Sequence, residues 1–357
     1  MNIKAYEIRF FAVGTASKGG DAILVRVIDE NDITHIVVID GGYKEDGERI
    51  VDYVSNDLGL DTIDIIINTH PDIDHISGLI SIFNSDKVKV KKLIMNRPWR
   101  DASLKSSYFK DGRITENSLE CRLKDSFKKA WELEQIAIDK IGENNIVHPC
   151  VGNTYLDFLT IIGPSKEHYR SFLMESDKTP EKKCDSLSNS VRFFAKKILR
   201  FIPYMKGMPI QWIDGENTSA INETSVICCL DLPDRKILLT GDAGKTGISN
   251  ALDYYEDMED GNNASDFGVV QLPHHGSRKN VSPALFKRWG NTDYVISCPQ
   301  DGFNEGHPSK RMINRLLLDC PLSNIYMTQG KSFVYTWNTY VNANVISGLA
   351  QFDEIEE

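Results

Sequence analysis

Residues 65–75 of the chain, IIINTHPDIDH, run from an apolar segment directly into a group of potential metal ligands. The apolar part has the length and β-branched character of a buried strand, and the proline prevents the strand ladder from simply continuing. Two imidazoles and two carboxylates follow within six residues, at His70, Asp72, Asp74 and His75. Imidazole and carboxylate together suit borderline divalent ions such as zinc or manganese. The alternative is a solvated acidic turn with two incidental histidines.

Three further polar segments also follow apolar strands in the sequence. They are VIDGG at residues 38–42, LTGDA at 239–243 and LPHHGS at 272–277. Strand ends are where layered α/β folds collect ligands, and glycine beside a functional side chain lets a substrate approach closely. Taken singly, the first two segments are more often tight turns. Because all three occur together with the 65–75 segment, we expect one shared centre.

Short, turn-bounded apolar runs predict strands in both halves of the chain, with helices between some of them. The spacing of apolar residues predicts helices over 45–58 and 118–141 and a strand over 155–162. Residues 176–218 are irregular, with lysine-rich pieces, prolines and glycines, and we interpret them as an insertion or lid. We therefore expect an α/β fold, with a single domain over 1–357 and a variable region over 97–218 that contains the helical or lid insertion.

The composition limits the class of protein. With 41% hydrophobic and 26% charged residues, the 357-residue chain is typical of a globular protein with a packed core. Its formal net charge of -10 argues against a protein that coats nucleic acid with its whole surface, because such binding needs clustered Lys and Arg. The seven cysteines form no C-x-x-C pair, and no apolar run resembles a signal peptide or a membrane span. We expect a soluble, cytoplasmic protein.

The order of these motifs resembles the metallo-β-lactamase superfamily, whose signature is H-x-H-x-D-H followed by distant Asp and His ligands. The sequence departs from that signature at Asp72, which occupies the position of the superfamily's second histidine. This variant is similar to the hydrolase domain of the ComEC DNA-uptake channel, as are four further elements: GDA at 20–22, LTGD at 239–242, HHGS at 274–277 and NEGHP at 304–308. The resemblance covers about residues 6–80 and 220–340. It implies a four-layer αββα metallo-β-lactamase sandwich with metals at one edge between the two sheets. The membrane helices of the channel are absent from the sequence, so DNA uptake is not implied.

The resemblance further implies a site for two divalent ions, zinc or manganese. His70 and Asp72 would bind the first ion, Asp74 and His75 would bind the second, and Asp242 would bridge them.

A histidine from the 272–277 segment would complete the second site. The position after the strand favours His274 as that ligand, with His275 facing substrate or packing, but sequence does not separate adjacent histidines. Asp40 resembles the superfamily's first-motif aspartate, which hydrogen-bonds a ligand histidine and fixes its tautomer.

The first metal lacks one ligand in this sequence, because the superfamily usually supplies another histidine before the bridging aspartate. His148 and His168 lie in that interval, but neither has a supporting motif, and a lone histidine is more often structural. Residues 222–225, NETS, resemble the Asn-x-x-Ser of the ComEC-type hydrolases at this place. The resemblance therefore predicts a weakly held first metal. His35, flanked by strand residues, is interpreted as structural.

A two-metal site implies hydrolysis by a metal-activated hydroxide at neutral pH. We expect Asp74, His275 and His307 to be catalytic, with His307 or the non-ligand histidine of the adjacent pair as a protonated group that assists the leaving alkoxide. Asn304, His307 and Ser277 are expected to bind substrate. The alternative interpretation of His307 is a loop histidine fixed before a proline.

Two basic segments oppose the overall negative charge. Residues 97–129 contain nine Lys or Arg against five acids, and residues 178–206 contain eight against two. The interleaved aromatic residues are Trp99, Tyr108, Phe193, Phe194 and Tyr204. Together they predict a positive, stacking-capable rim for single-stranded nucleic acid or a nucleotide. The alternative is a pair of solvated helix faces with core aromatics.

The leading functional hypothesis is a metal-dependent phosphodiesterase or nuclease. A carbonyl hydrolase acting on a lactone, amide or thioester is an alternative, because one fold hosts several chemistries. A noncatalytic metal-binding regulatory module is a third hypothesis, suggested by the missing first-site ligand.

Overall fold

The computed structural model describes residues 1–14, 18–183, 212, 217–259, 261–302 and 306–338. Within these residues the chain forms fourteen strands: β1 (Ile3–Phe10), β2 (Ala22–Asp29), β3 (Thr34–Gly41), β4 (Thr62–Ile67), β5 (Lys89–Ile94), β6 (Ile146–Val147), β7 (Thr154–Tyr155), β8 (Leu159–Gly163), β9 (Ile227–Asp231), β10 (Lys236–Leu239), β11 (Phe267–Gln271), β12 (Asp293–Ile296), β13 (Asn324–Met327) and β14 (Phe333–Trp337). The same residues form eight α-helices: α1 (Lys44–Asp52), α2 (Ile73–Asn84), α3 (Glu116–Ser126), α4 (Lys128–Ile141), α5 (Lys166–Leu173), α6 (Lys245–Met258), α7 (Pro283–Trp289) and α8 (Lys310–Asp319).

The strands form two seven-stranded sheets. The first has the order β14-β1-β2-β3-β4-β5-β6, and the second has the order β13-β12-β11-β10-β9-β8-β7. In the first sheet β3 to β6 pair in parallel, whereas β14, β1, β2 and β3 pair antiparallel. In the second sheet β10 to β13 pair in parallel, whereas β7 to β10 pair antiparallel. Each sheet therefore combines one parallel half with one antiparallel half.

Helices cover the outer face of each sheet, and the inner faces pack on each other. The buried residues of α1, α2 and α4 lie in one apolar core with the outer face of the first sheet. The buried residues of α6, α7 and α8 lie in a second apolar core with the outer face of the second sheet. Strand β4 shows the pattern, because Ile63 and Ile66 face the helices while Ile65 and Ile67 face the other sheet. A strand buried on both faces reads as a continuous apolar run, which explains the isoleucines before the ligand cluster. The architecture is the αββα sandwich that the sequence predicts.

The first turn of α2 lies against the end of β3 because glycines allow the backbones to approach. A Cβ atom on Gly78 would lie 1.8 Å from the carbonyl oxygen of Gly41. A Cβ atom on Gly47, in α1, would lie 2.1 Å from the carbonyl oxygen of Gly78. No side chain fits at such distances, so glycine is required at this crossing. The contact fixes the start of α2 relative to Asp40 at the end of β3.

Two predicted helices differ from the structure. The predicted helix over 45–58 ends as α1 at Asp52 and continues as a π-helical turn over Tyr53–Asp57. The predicted helix over 118–141 is two helices, because Phe127 has φ -108° and ψ 38°. Apolar spacing continues across both irregularities because the residues on either side pack into the same core.

The predicted strand over 155–162 is a hairpin in the structure. β7 and β8 pair antiparallel, and the turn between them contains Leu156 and Asp157 at φ 51° and 60°. Aspartate enters the left-handed region readily, whereas leucine seldom does, so the sequence gives only a weak signal for this turn.

The described part of residues 97–218 is built into the sandwich. Strands β6, β7 and β8 belong to the two sheets, and α4 contacts α2 and β5. Strands and a helix of the sandwich therefore lie within residues 97–218, and the helical or lid insertion expected in this variable region stays a prediction. Residues 184–211 and 213–216, which hold most of the expected lid together with Phe193, Phe194 and Tyr204, lie outside the described residues. No helix in the described ranges is both long and apolar enough to cross a bilayer.

Candidate metal centre

Strand ends from both sheets bring imidazole and carboxylate side chains into one cluster. The members that follow strands of the first sheet are His70, Asp72, Asp74 and His75, and those that follow strands of the second sheet are Asp242, His274 and His275. Facing Nε2 and carboxylate oxygen atoms of neighbouring members lie 3.5 to 3.8 Å apart. All the metal-ligand residues predicted from the sequence therefore lie in one place.

The segment after β4 supplies its acidic groups from the first turn of α2. Asp72 is the N-cap residue of the helix, but its carboxylate makes no capping hydrogen bond and faces His70 instead. Asp74 lies in the first turn, and the fully buried His75 follows it. Burial opposes the charge on both aspartates, but His70 lowers the pKa of Asp72, and His75 and His275 lower the pKa of Asp74.

Asp40 holds the two histidines of the first sheet in one orientation. Its carboxylate accepts hydrogen bonds from the backbone N–H and the hydroxyl of Thr69, and it lies 2.7 Å from Nδ1 of His75. The Thr69 hydroxyl oxygen lies 3.1 Å from Nδ1 of His70. Because Thr69 donates its hydroxyl proton to Asp40, it accepts from His70, and both imidazoles direct Nε2 to the cluster. Asp40 is therefore an orienting group, although its carboxylate is close enough to be counted with His70 and His75 as a ligand set.

His274 and His275 point in different directions because both have left-handed backbone conformations. Their φ angles are 50° and 56°, values that are uncommon outside glycine and often mark functional turns. Nδ1 of His275 donates to the carbonyl oxygen of Ser297 at 3.0 Å. Nδ1 of His274 lies 3.2 Å from Oδ1 of Asn280. Both rings thus also direct Nε2 into the cluster.

The ligand atoms form two groups that share Asp242. In one group, Oδ2 of Asp74 lies 3.8 Å from Nε2 of His75 and 3.5 Å from Nε2 of His275, while Oδ1 of Asp242 lies 3.5 Å from His75. This group corresponds to the second metal of the sequence prediction. Asp242 Oδ2 belongs to the other group, at 3.7 Å from Nε2 of His70.

The other group is formed by Asp242 together with residues from both sheets. Nε2 of His70 also lies 3.7 Å from Oδ2 of Asp72, and Nε2 of His274 lies 3.7 Å from Oδ2 of Asp242. His275, not His274, therefore faces the second group. The preference for His274 at the second metal does not agree with this geometry, because the left-handed turn directs the two adjacent rings to opposite sides of Asp242.

The cluster fits divalent metal ions. Nε2 of His70, His75 and His275 and Oδ1 of Asp242 are buried and have no hydrogen-bond partner in the protein. Such orphaned polar atoms are costly unless something binds them. Two ligand atoms about 2.1 Å from one tetrahedral ion lie about 3.4 Å apart, which is close to the separations in both groups.

The electrostatics of the cluster also favour cations. Burial opposes a charge on His75, but Asp242, Asp40 and Asp74 outweigh it and raise the pKa of His75 well above its ordinary value. Burial likewise opposes the charge on His275, but the neighbouring carboxylates of Asp74 and Asp242 raise its pKa to about 9. Carboxylates in excess thus hold positive charge in this pocket, as protons or as metal ions.

Asp21 also belongs to the cluster, although no role was predicted for it from the sequence. It is almost fully buried and lies with Asp242 and His275 in one group of possible ligand atoms. Burial raises the pKa of its carboxyl. Oδ2 accepts a hydrogen bond from Gln271, while Oδ1 has no partner. The signal was present in the GDA element at residues 20–22, but one aspartate beside glycines is also a common turn.

The residues expected to contact substrate occupy different environments. His307 stacks on His274 with ring centroids 5.3 Å apart. Burial, helped by the charges of His274 and His275, lowers the pKa of His307 to about 4, and its role as a protonated group stays a prediction. Ser277 is 2% exposed, and its hydroxyl accepts from the backbone N–H of Lys279, so its contact with substrate also stays a prediction. Asn304 lies outside the described residues.

The three remaining histidines, His35, His148 and His168, contact residues outside the cluster. His168 is buried, with Nε2 3.0 Å from the carbonyl oxygen of Glu223. His148 packs edge-on against Tyr169, and His35 lies 3.7 Å from a carboxylate oxygen of Asp29. These contacts are with residues outside the cluster, in keeping with their interpretation as structural.

The basic segment over 97–129 is largely engaged in ion pairs. Arg97 and Arg100 contact the buried carboxylate of Glu134. Trp99 is also buried, and its Nε1 donates to Glu134 at 2.7 Å. Trp99 is therefore a core residue, as in the alternative interpretation, while Tyr108 is 38% exposed. The second basic segment lies mostly outside the described residues.

Two facing sheets between helical layers, with histidines and aspartates at the strand ends, define a metallo-β-lactamase type of α/β sandwich. Residues 19–134 match the family model described as the Metallo-beta-lactamase superfamily. The matched range includes His70, Asp72, Asp74 and His75. It ends before the strands that lead to Asp242 and His275.

No curated protein matches the sequence. Among solved structures, the chain is similar to the crystal structure of a long form RNase Z from yeast, with 11% sequence identity and a TM-score of 0.36. That alignment covers 83% of this chain and 38% of the other. The chain therefore spans well under half the length of that protein.

Proposed function

We propose that the protein is a metal-dependent hydrolase that cleaves phosphodiester bonds in a nucleic acid or nucleotide. The observation that carries the proposal is the arrangement of imidazoles around Asp242. Nε2 of His70, His75 and His274 lies 3.5 to 3.7 Å from its carboxylate oxygens, and His275 belongs to one group of possible ligand atoms with it. A structural metal site is closed by protein ligands, whereas a catalytic site keeps an open position. The side chains of Asp72, His274 and Asp74 are 46%, 30% and 28% exposed, so water and substrate can reach the cluster.

The residues of the two groups would hold two divalent ions, zinc or manganese. The first ion would be bound by His70, Asp72 and Oδ2 of Asp242, and the second would be bound by Asp74, His75, His275 and Oδ1 of Asp242. When bound, such ions supply a water of lowered pKa and stabilise negative charge on oxygen. The mixture of imidazole and carboxylate ligands suits both metals.

The protein contributes orientation and hydrogen bonding around that chemistry. Asp40 and Thr69 keep His70 and His75 in the tautomer that directs Nε2 inward. His307 stacks on His274 beside the open side of the site. As a neutral imidazole it can donate an N–H to a substrate oxygen or accept a hydrogen bond, which positions a substrate but does not deliver an imidazolium proton.

Phosphodiester chemistry is supported over carbonyl chemistry by the ligand set. Asp72 replaces an imidazole with a carboxylate in the variant that resembles the ComEC-type hydrolases. Paired cations suit in-line displacement at phosphorus, because charge develops on both the attacking and the leaving oxygen. Many basic residues in 97–129 are already paired with carboxylates, so this segment gives little support for a broad nucleic-acid surface. The support for phosphodiester chemistry comes from the metal cluster.

The test is a hydrolysis screen with protein loaded with Zn²⁺ or Mn²⁺. The substrates are single-stranded and duplex DNA, RNA, cyclic nucleotides and, for comparison, a lactone and a thioester. We expect the wild-type protein to cleave phosphodiesters. We expect Asp242→Ala to reduce the rate of cleavage by about 1,000-fold, roughly the loss when one group that stabilises transition-state charge is removed. Asp231→Ala is the matched control, because Asp231 is an exposed carboxylate on neighbouring strand β9.

Turnover of the lactone or thioester without phosphodiester cleavage would overturn the substrate assignment. Phosphodiester cleavage that persists in Asp242→Ala would show that the activity comes from another site or a contaminant.

A further inference from the structure

The first metal group has one ligand fewer than the second unless His274 belongs to it. His70, Asp72 and Asp242 supply three protein atoms, and the sequence offers no motif histidine between His75 and Asp242. His148 and His168, the histidines in that interval, have the structural contacts described above. The ligand that completes this group must therefore come from elsewhere in the chain.

Nε2 of His274 occupies the required position. It lies 3.7 Å from Oδ2 of Asp242, the same carboxylate oxygen that lies 3.7 Å from Nε2 of His70. Nε2 of His275, one residue further along, faces Asp74 on the other side of Asp242. His70 and His274 therefore approach the same carboxylate oxygen, which is the contact expected of two ligands of one ion.

Asn280 fixes the orientation of the His274 ring. Its Nδ2 donates to the backbone carbonyl oxygens of Asp242 and Ala243 at 2.8 and 3.3 Å, so its Oδ1 is the atom that faces His274. Oδ1 lies 3.2 Å from Nδ1 of His274, and this contact holds the ring so that Nε2 is the nitrogen that faces Asp242. The same amide ties the ligand histidine to the backbone of the bridging aspartate.

The segment at residues 222–225 contacts the ligand from behind. Nδ2 of Asn222 lies 3.0 Å from Nδ1 of His274, so this ring nitrogen is held between the amides of Asn222 and Asn280. The hydroxyl of Ser219 holds Asn222, because it accepts from the backbone N–H of Asn222 and donates to its Oδ1. Asn222 is 3% exposed. In the superfamily, this part of the chain would supply a further metal ligand. Here it contacts and supports His274, a ligand from the 272–277 segment.

We propose that His274 is the missing protein ligand of the first metal, so that adjacent residues His274 and His275 bind different ions, and that Asn280 is the positioning residue for His274. The proposal rests on the proposed function only in requiring that the cluster binds two ions. The first site is then a four-ligand site of His70, Asp72, Asp242 and His274, and it is not intrinsically weak.

The experiment measures metal binding without a substrate. Protein stripped with a chelator is titrated with Mn²⁺ by calorimetry, and the spin coupling between bound Mn²⁺ ions is followed by electron paramagnetic resonance. The matched variants are His274→Gly and His275→Gly, because glycine adopts the positive φ of both positions without strain. Wild-type protein is expected to bind two ions with a spin-coupled spectrum, and each variant is expected to keep one uncoupled ion.

Double variants identify the site that each histidine serves. Asp72→Ala combined with His274→Gly removes two ligands of the same ion, so one ion remains bound with near wild-type affinity. His274→Gly combined with His275→Gly is expected to lower the affinity for both ions. The loss should exceed the roughly 10–100-fold that follows removal of a hydrogen-bond partner of a ligand. Two ions bound with wild-type affinity in His274→Gly would overturn the inference and leave the hydrolase proposal intact. Wild-type protein that binds no ion would overturn both.

Asn280 is tested by its effect on one ion. Asn280→Ala is expected to weaken the first ion by about 10–100-fold and leave the second unchanged. An equal loss for both ions, or no loss for either ion, would contradict the positioning role.

Discussion

Asp40 illustrates how much of the centre depends on one side chain that binds no substrate. Its carboxylate is fully buried and receives hydrogen bonds from Thr69 and His75, and through Thr69 it also orients His70. One ionised group therefore sets the tautomer of two ligands. Because an amide has only one acceptor oxygen, it cannot replace both carboxylate oxygens of Asp40.

We expect Asp40→Asn to weaken metal binding by about 10–100-fold, as measured by titration of stripped protein with Mn²⁺. Asparagine is the appropriate replacement because Asp40 has φ 53°, a conformation that asparagine tolerates. An unchanged far-ultraviolet circular dichroism spectrum would show that the fold is retained. Wild-type metal affinity in this variant would contradict the orienting role.

The histidines of the second group, His275 and His75, make the stability of the metal-free protein depend on pH. His275 has its pKa raised from 6.5 to about 9, so its contribution to stability is fully present below about pH 6.5 and is lost as the pH rises towards 9. The raised pKa of His75 acts in the same direction. We expect the free energy of unfolding of metal-free protein to fall by on the order of a few kcal/mol between pH 6.5 and 8.5.

Chemical denaturation of chelator-treated protein at several pH values measures this effect. His275→Gly removes one titrating group and should flatten the profile. Metal-loaded wild-type protein should also show a flatter profile, since an ion then takes the place of the proton on Nε2. A metal-free profile that rises over this interval would contradict the electrostatic account of the cluster.

Sequence predicts the residue types of the centre better than their arrangement. Residues 70–75 are recognisable because two imidazoles and two carboxylates are rare in six residues. The separate directions of His274 and His275 depend on two left-handed φ angles, which local sequence does not specify for histidine. The low pKa of His307 depends on burial and on the charges of His274 and His275, which the local sequence around it does not specify.

The start of α2 is the element on which the second group depends. It carries Asp74 and His75, and its position is set by backbone contacts between Gly78, Gly41 and Gly47. These glycines allow the helix to approach β3 more closely than any other residue would. A small change there should affect both the packing of the helix and the ligands it carries.

We expect Gly78→Ala to lower the free energy of unfolding by about 1–3 kcal/mol or more, because the new Cβ would lie 1.8 Å from the carbonyl oxygen of Gly41. The clash outweighs the roughly 1 kcal/mol that alanine gains over glycine in a helix. Denaturant unfolding measures the loss, and metal titration should show a weaker second ion. Gly112→Ala is the control, since no atom lies within 4 Å of a Cβ at that position. Equal stability of both variants would contradict the packing argument.

Element boundaries were predictable where one pattern dominates. β4 follows directly from its isoleucine run, and β14 spans the residues that its β-branched and aromatic pattern predicts. The break at Phe127 between α3 and α4 was missed because both helices bury residues in the same core. The turn in the β7–β8 hairpin was missed because Leu156 is a poor marker of a left-handed conformation.

At the scale of the molecule, the centre joins the two halves of the sandwich. The ligands after β4 come from the first sheet, and Asp242, His274 and His275 follow strands of the second. The layered class of the fold was predictable from strands in both halves of the sequence. The pairing of β14 with β1 and the place of β6 to β8 in the sheets were not, because contacts between distant segments leave little local signal.

The central claim is that Asp242 lies between two metal ions held by ligands from both sheets. Anomalous X-ray diffraction from crystals of protein loaded with Zn²⁺ or Mn²⁺ tests it most directly. We predict two anomalous peaks about 4 Å apart on either side of Asp242, one beside His70 and His274 and the other beside His75 and His275. Loaded crystals with no peak in the cluster, or with a single peak that does not contact Asp242, would contradict this account.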